Sequence, residues 1–183
     1  MRDIARLTEG NHLAAGVSRH DTARWRCHWK LEKFHGDDLG PDAVPFETIE
    51  REGNALMYGG VAALWHRLIG GNAVTAFDAT NARVGVGDGT AAADPLQTDL
   101  QGTNKVRKGM DAGYPQHSDG TGAAANTVTF RATFSTSEAN FAWAEWAIFN
   151  GASGGRMLNR KVEALGTKTS AASWVFTVQL SLV

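Results

Sequence analysis

Thr127-Val-Thr-Phe-Arg-Ala-Thr-Phe134, Phe141-Ala-Trp-Ala-Glu-Trp-Ala-Ile-Phe149, Leu158-Asn-Arg-Lys-Val-Glu-Ala164 and Trp174-Val-Phe-Thr-Val-Gln-Leu-Ser-Leu182 occupy most of the last third of the chain. In the first, Val128, Phe130, Ala132 and Phe134 alternate with Thr127, Thr129, Arg131 and Thr133. The last puts Trp174, Phe176, Val178, Leu180 and Leu182 on one face. Successive side chains of a strand point to opposite faces, so a period of two predicts strands with one buried side. Between them, Phe141, Trp143, Ala147 and Phe149 share a face that Glu145 interrupts, and Leu158, Val162 and Ala164 alternate with Asn159, Lys161 and Glu163. Several such strands separated by turn residues predict a mainly β fold, an antiparallel β-sandwich.

Upstream the same period returns in Arg24 to Lys33, where Trp25, Cys27, Trp29 and Leu31 oppose Arg24, Arg26, His28, Lys30 and Glu32. His35 to Pro45 holds turn residues and two prolines and is expected to be an extended loop. From Asn54 to Ile69 the period becomes helical: Met57, Val61, Leu64, Trp65 and Leu68 recur at steps of three and four, and Gly70-Gly71 supplies the stop. This predicts one amphipathic helix. A strand over Ala82 to Val86, a turn at Gly87-Asp-Gly89, a strand over Lys105 to Ala112 and a loop over residues 113–126 complete the series. Residues 24–183 are thus expected to form a single β-sandwich domain. Residues 1–23, polar but carrying Ile4, Leu7, Leu13 and Val17 as a sparse apolar stripe, are expected to be an N-terminal arm that lies on a neighbouring chain.

Composition narrows the partners. The 18 Lys+Arg against 19 Asp+Glu leave a net charge of −1, which speaks against a nucleic-acid partner. Cys27 is the single cysteine, so neither an internal disulfide nor a cysteine-based zinc framework is possible. No apolar run approaches membrane-spanning length, and the opening Met1 to His12 lacks the apolar core of a signal peptide. These features predict no membrane partner and synthesis in a cytoplasm.

Five motifs in order, Ala82-Arg-Val-Gly-Val-Gly-Asp-Gly-Thr90, Pro95-Leu-Gln-Thr-Asp-Leu-Gln101, Lys105-Val-Arg-Lys-Gly-Met110, Ser137-Glu-Ala-Asn-Phe-Ala-Trp-Ala-Glu-Trp-Ala-Ile-Phe-Asn150 and Leu158-Asn-Arg-Lys-Val162, carry a resemblance. The chain from about Asn54 onward resembles tailed-bacteriophage virion proteins related in pattern to tail-collar fibre proteins; residues 1–50 lie outside it. The resemblance implies a non-enzymatic structural component of the virion, a tail or fibre-attachment protein assembling with other virion structural proteins as a homo-oligomer. Alternatives are a capsid decoration (cement) protein and a carbohydrate-binding module of a receptor-binding apparatus.

Val84 to Gly89 is glycine-rich but lacks the Gly-Lys-Ser/Thr of a phosphate loop, and reads as a turn in which Gly85, Gly87 and Gly89 take positive φ and Asp88 bonds its own backbone. His35, Asp37 and Asp38 have metal-ligand letters without a second cluster to complete a site. His117-Ser118-Asp119 has hydrolase letters, but adjacent residues point in different directions. His66 is expected at the polar boundary of the helix, and Cys27 as a small hydrophobe between tryptophans. Lys105, Arg107 and Lys108 with Arg156, Arg160 and Lys161 form a candidate basic patch, diluted by acidic residues; Lys105, Arg107 or Arg160 is also the expected anchor of Glu145. Trp143, Phe149, Trp174 and Phe176 are expected in one core. The sequence assigns no catalytic, cofactor-binding or metal-binding residue and no cofactor.

Overall fold

The computed structural model describes residues 24–71 and 73–183; the predicted arm at 1–23 lies outside them. Ten strands and one α-helix run in the order β1 (Trp25–His35), β2 (Glu47–Glu52), β3 (Ala55–Leu56), α1 (Tyr58–Leu68), β4 (Arg83–Gly87), β5 (Lys105–Gly109), β6 (Gln116–His117), β7 (Thr127–Phe134), β8 (Ala142–Phe149), β9 (Met157–Thr167) and β10 (Ala172–Leu182), with a short 3-10 turn at Ala123–Asn126 before β7. They build two five-stranded sheets, β2-β1-β10-β7-β6 and β3-β9-β8-β4-β5. Pairing between named strands is antiparallel throughout. The mainly β, sandwich-like fold read from the sequence is therefore the observed one.

The sheets meet through aromatic side chains. Trp29 of β1 lies edge-on to Trp146 of β8 at 5.9 Å, and Phe176 of β10 meets the same Trp146 at 5.2 Å. Nearby, Trp143 packs edge-on against Phe134 at 4.8 Å and Trp174 at 4.6 Å. Edge-to-face contact brings the positive ring edge to the negative ring face, a gain beyond area burial. The alternation in β1 continues one step past its apolar residues: Lys33 falls on the inward face, 4% exposed, and its amine reaches Glu47 at 2.9 Å and the Leu165 carbonyl at 2.8 Å while lying over the Trp174 ring.

Three sequence expectations change. The alternation of β8 breaks between Trp143 and Trp146, beside a register irregularity in which 163–165 of β9 stand against Ala144, so Trp143, Trp146 and Ile148 enter the main core. Ala147 and Phe149 join a separate outer cluster with Met57, Leu100 and Met157. A break in the period of two exchanges the faces of everything after it, which is why Phe149 is not in one core with Trp143, Trp174 and Phe176. In β9, likewise, Leu165 is buried and Ala164 is exposed. The helix is shorter than 54–69, because Ala55 and Leu56 pair with Arg160 and Asn159 as a short edge strand.

The helix is also turned the other way. α1 rests on β9 through Gly60 and Ala63, and a Cβ on Gly60 would fall 2.5 Å from the Leu158 Cα. Only glycine permits that approach. The large apolar residues are consequently left outward: Leu64 is 40% exposed, Trp65 60% and Leu68 73%. Gly70 ends the helix at φ +80°, as the sequence indicated.

Candidate functional site

Between β4 and β5 the chain makes a long excursion over residues 88–104, and it is held down by Glu145. The wholly buried carboxylate accepts backbone N–H groups from Gly89 at 3.2 Å, Gln101 at 3.1 Å and Gly102 at 2.7 Å. Arg160, equally buried, donates to it from Nε and Nη2 at 2.7 Å each, and reaches on to the Gln97 side chain and the Ala91 carbonyl. Of the three cations expected for Glu145, the structure selects Arg160. Its strand neighbour explains the choice: Glu145 pairs with Val162 and Ala147 with Arg160, a diagonal step across β8 and β9.

Gly85, Gly87 and Gly89 serve this arrangement differently from the expected turn. None of the three has a positive φ, and Gly87 belongs to β4. They supply space instead: a Cβ on Gly85 would lie 2.5 Å from Phe149, and one on Gly87 2.7 Å from the Glu145 carboxylate. Asp88 accepts from the Asn104 backbone at 3.0 Å and its side chain at 2.6 Å, closing the neck of the excursion, and these bonds, led by the Asn104 side chain, hold its carboxyl below the usual range. The segment is neither a hairpin turn nor a phosphate cradle.

The remaining candidates do not converge. His35 stacks on Phe46 at 4.4 Å, and Asp38 accepts from Gly40. Asp37 points away to accept from Ser173 and from Thr136 Oγ1 and N, and these bonds, Ser173 first, lower its carboxyl to about 2. It clamps the β1–β2 connection to the β7–β8 turn and to β10. Lys168, 1% exposed, donates to the Ser135 carbonyl at 2.6 Å and the Asn140 side chain at 3.0 Å in the same region, with its amine pKa lowered by burial. His117 meets the Thr127 carbonyl at 3.1 Å while Asp119 accepts from Gly120, so no triad forms. Among the described residues, no group of three or more His, Cys, Asp or Glu side chains is placed to hold a metal. Cys27 is buried, its thiol pushed up to about 12 by loss of solvent.

Nor do the basic residues of the candidate patch make a free positive field, since five of the six are paired with carboxylates. Lys105 and Arg107 both bind Asp99, at 2.8 and 2.7 Å, Lys108 binds Glu138, Arg160 is spent on Glu145, and Lys161 lies 3.7 Å from Glu163. Phosphate binding needs uncompensated charge.

What the described surface does offer is an apolar groove of about 420 Å³ between α1 and the open ends of β1 and β10, walled by Trp25, Leu56, Leu64, Trp65, Leu68 and Leu182. Across Leu64 and Leu182 it adjoins a second apolar hollow containing Phe77, Val128 and Leu180. Sequence reasoning found the residues of the helix but not the direction they face, because the pattern gives an apolar stripe without saying what it meets. No helix among the described residues is long and apolar enough to cross a membrane. No family model matches the chain, and neither a curated protein nor a solved structure does.

Proposed function

We propose that this chain is a non-enzymatic structural subunit of a tailed-bacteriophage virion, in the tail or fibre-attachment apparatus, acting through contacts with other virion subunits. The observation that carries the assembly part is the exposed apolar face of α1. Soluble monomers seldom leave contiguous large apolar side chains open to water beside an otherwise closed core, and such patches mark interaction sites. The order of motifs from Ala82 to Val162 supports the virion part. In two of the connections, 88–104 and 135–141, the charged groups Glu145, Glu138 and Lys168 are committed to holding the chain in place.

Position on the tail in preference to the capsid rests on the collar-fibre resemblance. A sugar-binding role is less favoured, because Trp65 sits among Leu64, Leu68 and Val61 with no carboxylate lining the groove, whereas sugar sites pair an aromatic face with polar groups. The test is to purify intact particles and label them with antibody against this chain. Label confined to the tail or fibre junction is expected. Label on the capsid shell would move the subunit there, and absence from particles would overturn the reading.

A further inference from the structure

The groove beside α1 is apolar and open, and three facts restrict what it can receive. Its walls hold no charged residue, so a polyanion or a charged peptide gains nothing there. Its outer residues are substantially open, with Trp65 at 60%, Leu68 at 73% and Leu182 at 56% exposure. And the chain enters the sandwich at its mouth: Arg24 and Val183 exchange backbone hydrogen bonds, and the next residue, Trp25, forms the groove wall. The 23 residues before Arg24 are therefore tethered at the groove's edge.

Those residues have a definite pattern. Ser18-Arg-His-Asp-Thr-Ala23 is a polar spacer, and the apolar residues Val17, Leu13, Leu7 and Ile4 come only beyond it. Six residues span up to about 20 Å and the whole segment up to about 75 Å when extended. A domain of this size has a radius of gyration of roughly 15 Å. The part of the segment next to its own groove is thus polar, and the apolar part has reach beyond its own subunit. We propose that the groove formed by Trp25, Leu64, Trp65, Leu68 and Leu182 receives the apolar residues of segment 1–23 from a second copy of this chain. This deepens the assembly reading above and rests on it: each subunit offers one groove and one segment, a head-to-tail contact that closes into a ring or a mutually exchanged pair.

The test uses the full chain carrying Leu13→Cys together with Leu68→Cys, oxidised and sized under non-reducing conditions. Cys27 does not interfere, since it is buried and its thiol is held protonated. Covalent dimers and higher species, well above either single substitution, are expected. Cross-linking that leaves the chain at monomer mass would show the segment covering its own groove and overturn the proposal. As much dimer from Leu68→Cys alone would show two helices packed face to face and overturn it equally. No cross-link would mean the segment does not seat there. A second variant, Leu64→Glu with Leu68→Glu, changes exposed positions and should melt as cooperatively as the parent while raising the dissociation constant of the oligomer at least about a hundredfold, the burial of two leucines forgone. An oligomer unchanged by it would also overturn the proposal. Incorporation of this variant into particles at full occupancy would sink the groove contact and leave the virion role standing; efficient cross-linking by a chain absent from particles would do the reverse.

Discussion

Glu145 and Arg160 are both 0% exposed, and each is the other's only counter-charge among the described residues. Removing one member of such a pair leaves a charge stranded without water, which typically costs 3–5 kcal/mol, far more than an exposed pair contributes. Glu145→Ala is therefore expected to lower stability by roughly that amount in denaturant melts. It should also release residues 88–104 to proteolysis in the still-folded chain; a variant as stable and as resistant as the parent would show that the excursion is held by other contacts. Asp37 behaves differently because it is solvent-exposed. Its carboxyl falls from about 3.8 unfolded to about 2 folded. A depressed pKa contributes stability that is present above the unfolded value and lost as pH falls through the folded one. The melting temperature of Asp37→Asn should lie below the parent's at neutral pH, with the gap closing between about pH 4 and pH 2, the interval set by the two values. A gap independent of pH would assign the effect to shape and not to charge. The sequence made Glu145 legible as a carboxylate needing a cation, since it breaks an apolar face. It could not show which cation, because Lys105 and Arg107 are turned to Asp99 by the path of 88–104, and that path depends on Glu145 itself.

At the scale of elements, strands with an apolar or aromatic pattern of their own are readable in the sequence, and those with neither are not. β7 occupies the predicted residues 127–134, and β1 and β10 lie within two residues of their predicted bounds. β2, Glu47-Thr-Ile-Glu-Arg-Glu52, escaped because an edge strand facing solvent keeps little apolar pattern; its charges discourage pairing with further chains. β6 is only two residues long and has no pattern to detect. The orientation of α1 was hidden for a steric reason: burial went to Gly60 and Ala63, where the backbone could approach β9, and not to the larger stripe. Two neighbouring glycines separate the competing effects. Alanine favours a helix over glycine by up to about 1 kcal/mol. At Gly59 a Cβ would meet only the Arg156 Cδ at 3.8 Å, ordinary contact, so Gly59→Ala should stabilise by up to about that amount. At Gly60 the same Cβ meets Leu158 backbone at 2.5 Å. Backbone cannot give way as a side chain can, so Gly60→Ala should destabilise by about 1–3 kcal/mol despite its better propensity. Equal signs for the two changes would mean that α1 does not sit on β9 this closely.

Across the whole molecule, burial between two sheets does the work that disulfides do elsewhere, as Cys27 has no partner in the chain. The six tryptophans divide this labour unequally. Trp29, Trp143, Trp146 and Trp174 are at most 3% exposed and hold the sheets together, Trp25 stands at the rim, and Trp65 lies 60% exposed on α1. Composition alone predicts the same contribution from each; the fold predicts opposite kinds of effect. Trp174 contacts Trp143 of the other sheet at 4.6 Å and carries the Lys33 amine over its ring at 4.5 Å. Trp174→Ala removes both and opens a cavity that neighbouring strands cannot fill, for a loss of roughly 3–5 kcal/mol. Trp65→Ala removes contacts mainly with water, and below the concentration at which subunits associate it should change stability by no more than about 0.5 kcal/mol, as surface substitutions do. Above that concentration its effect should appear as weaker association with the subunit's own melting unchanged. Denaturant melts of both variants at two protein concentrations measure this directly. A Trp65→Ala subunit that loses several kcal/mol when dilute would place the ring in a closed core, and one that associates as tightly as the parent would remove it from any interface.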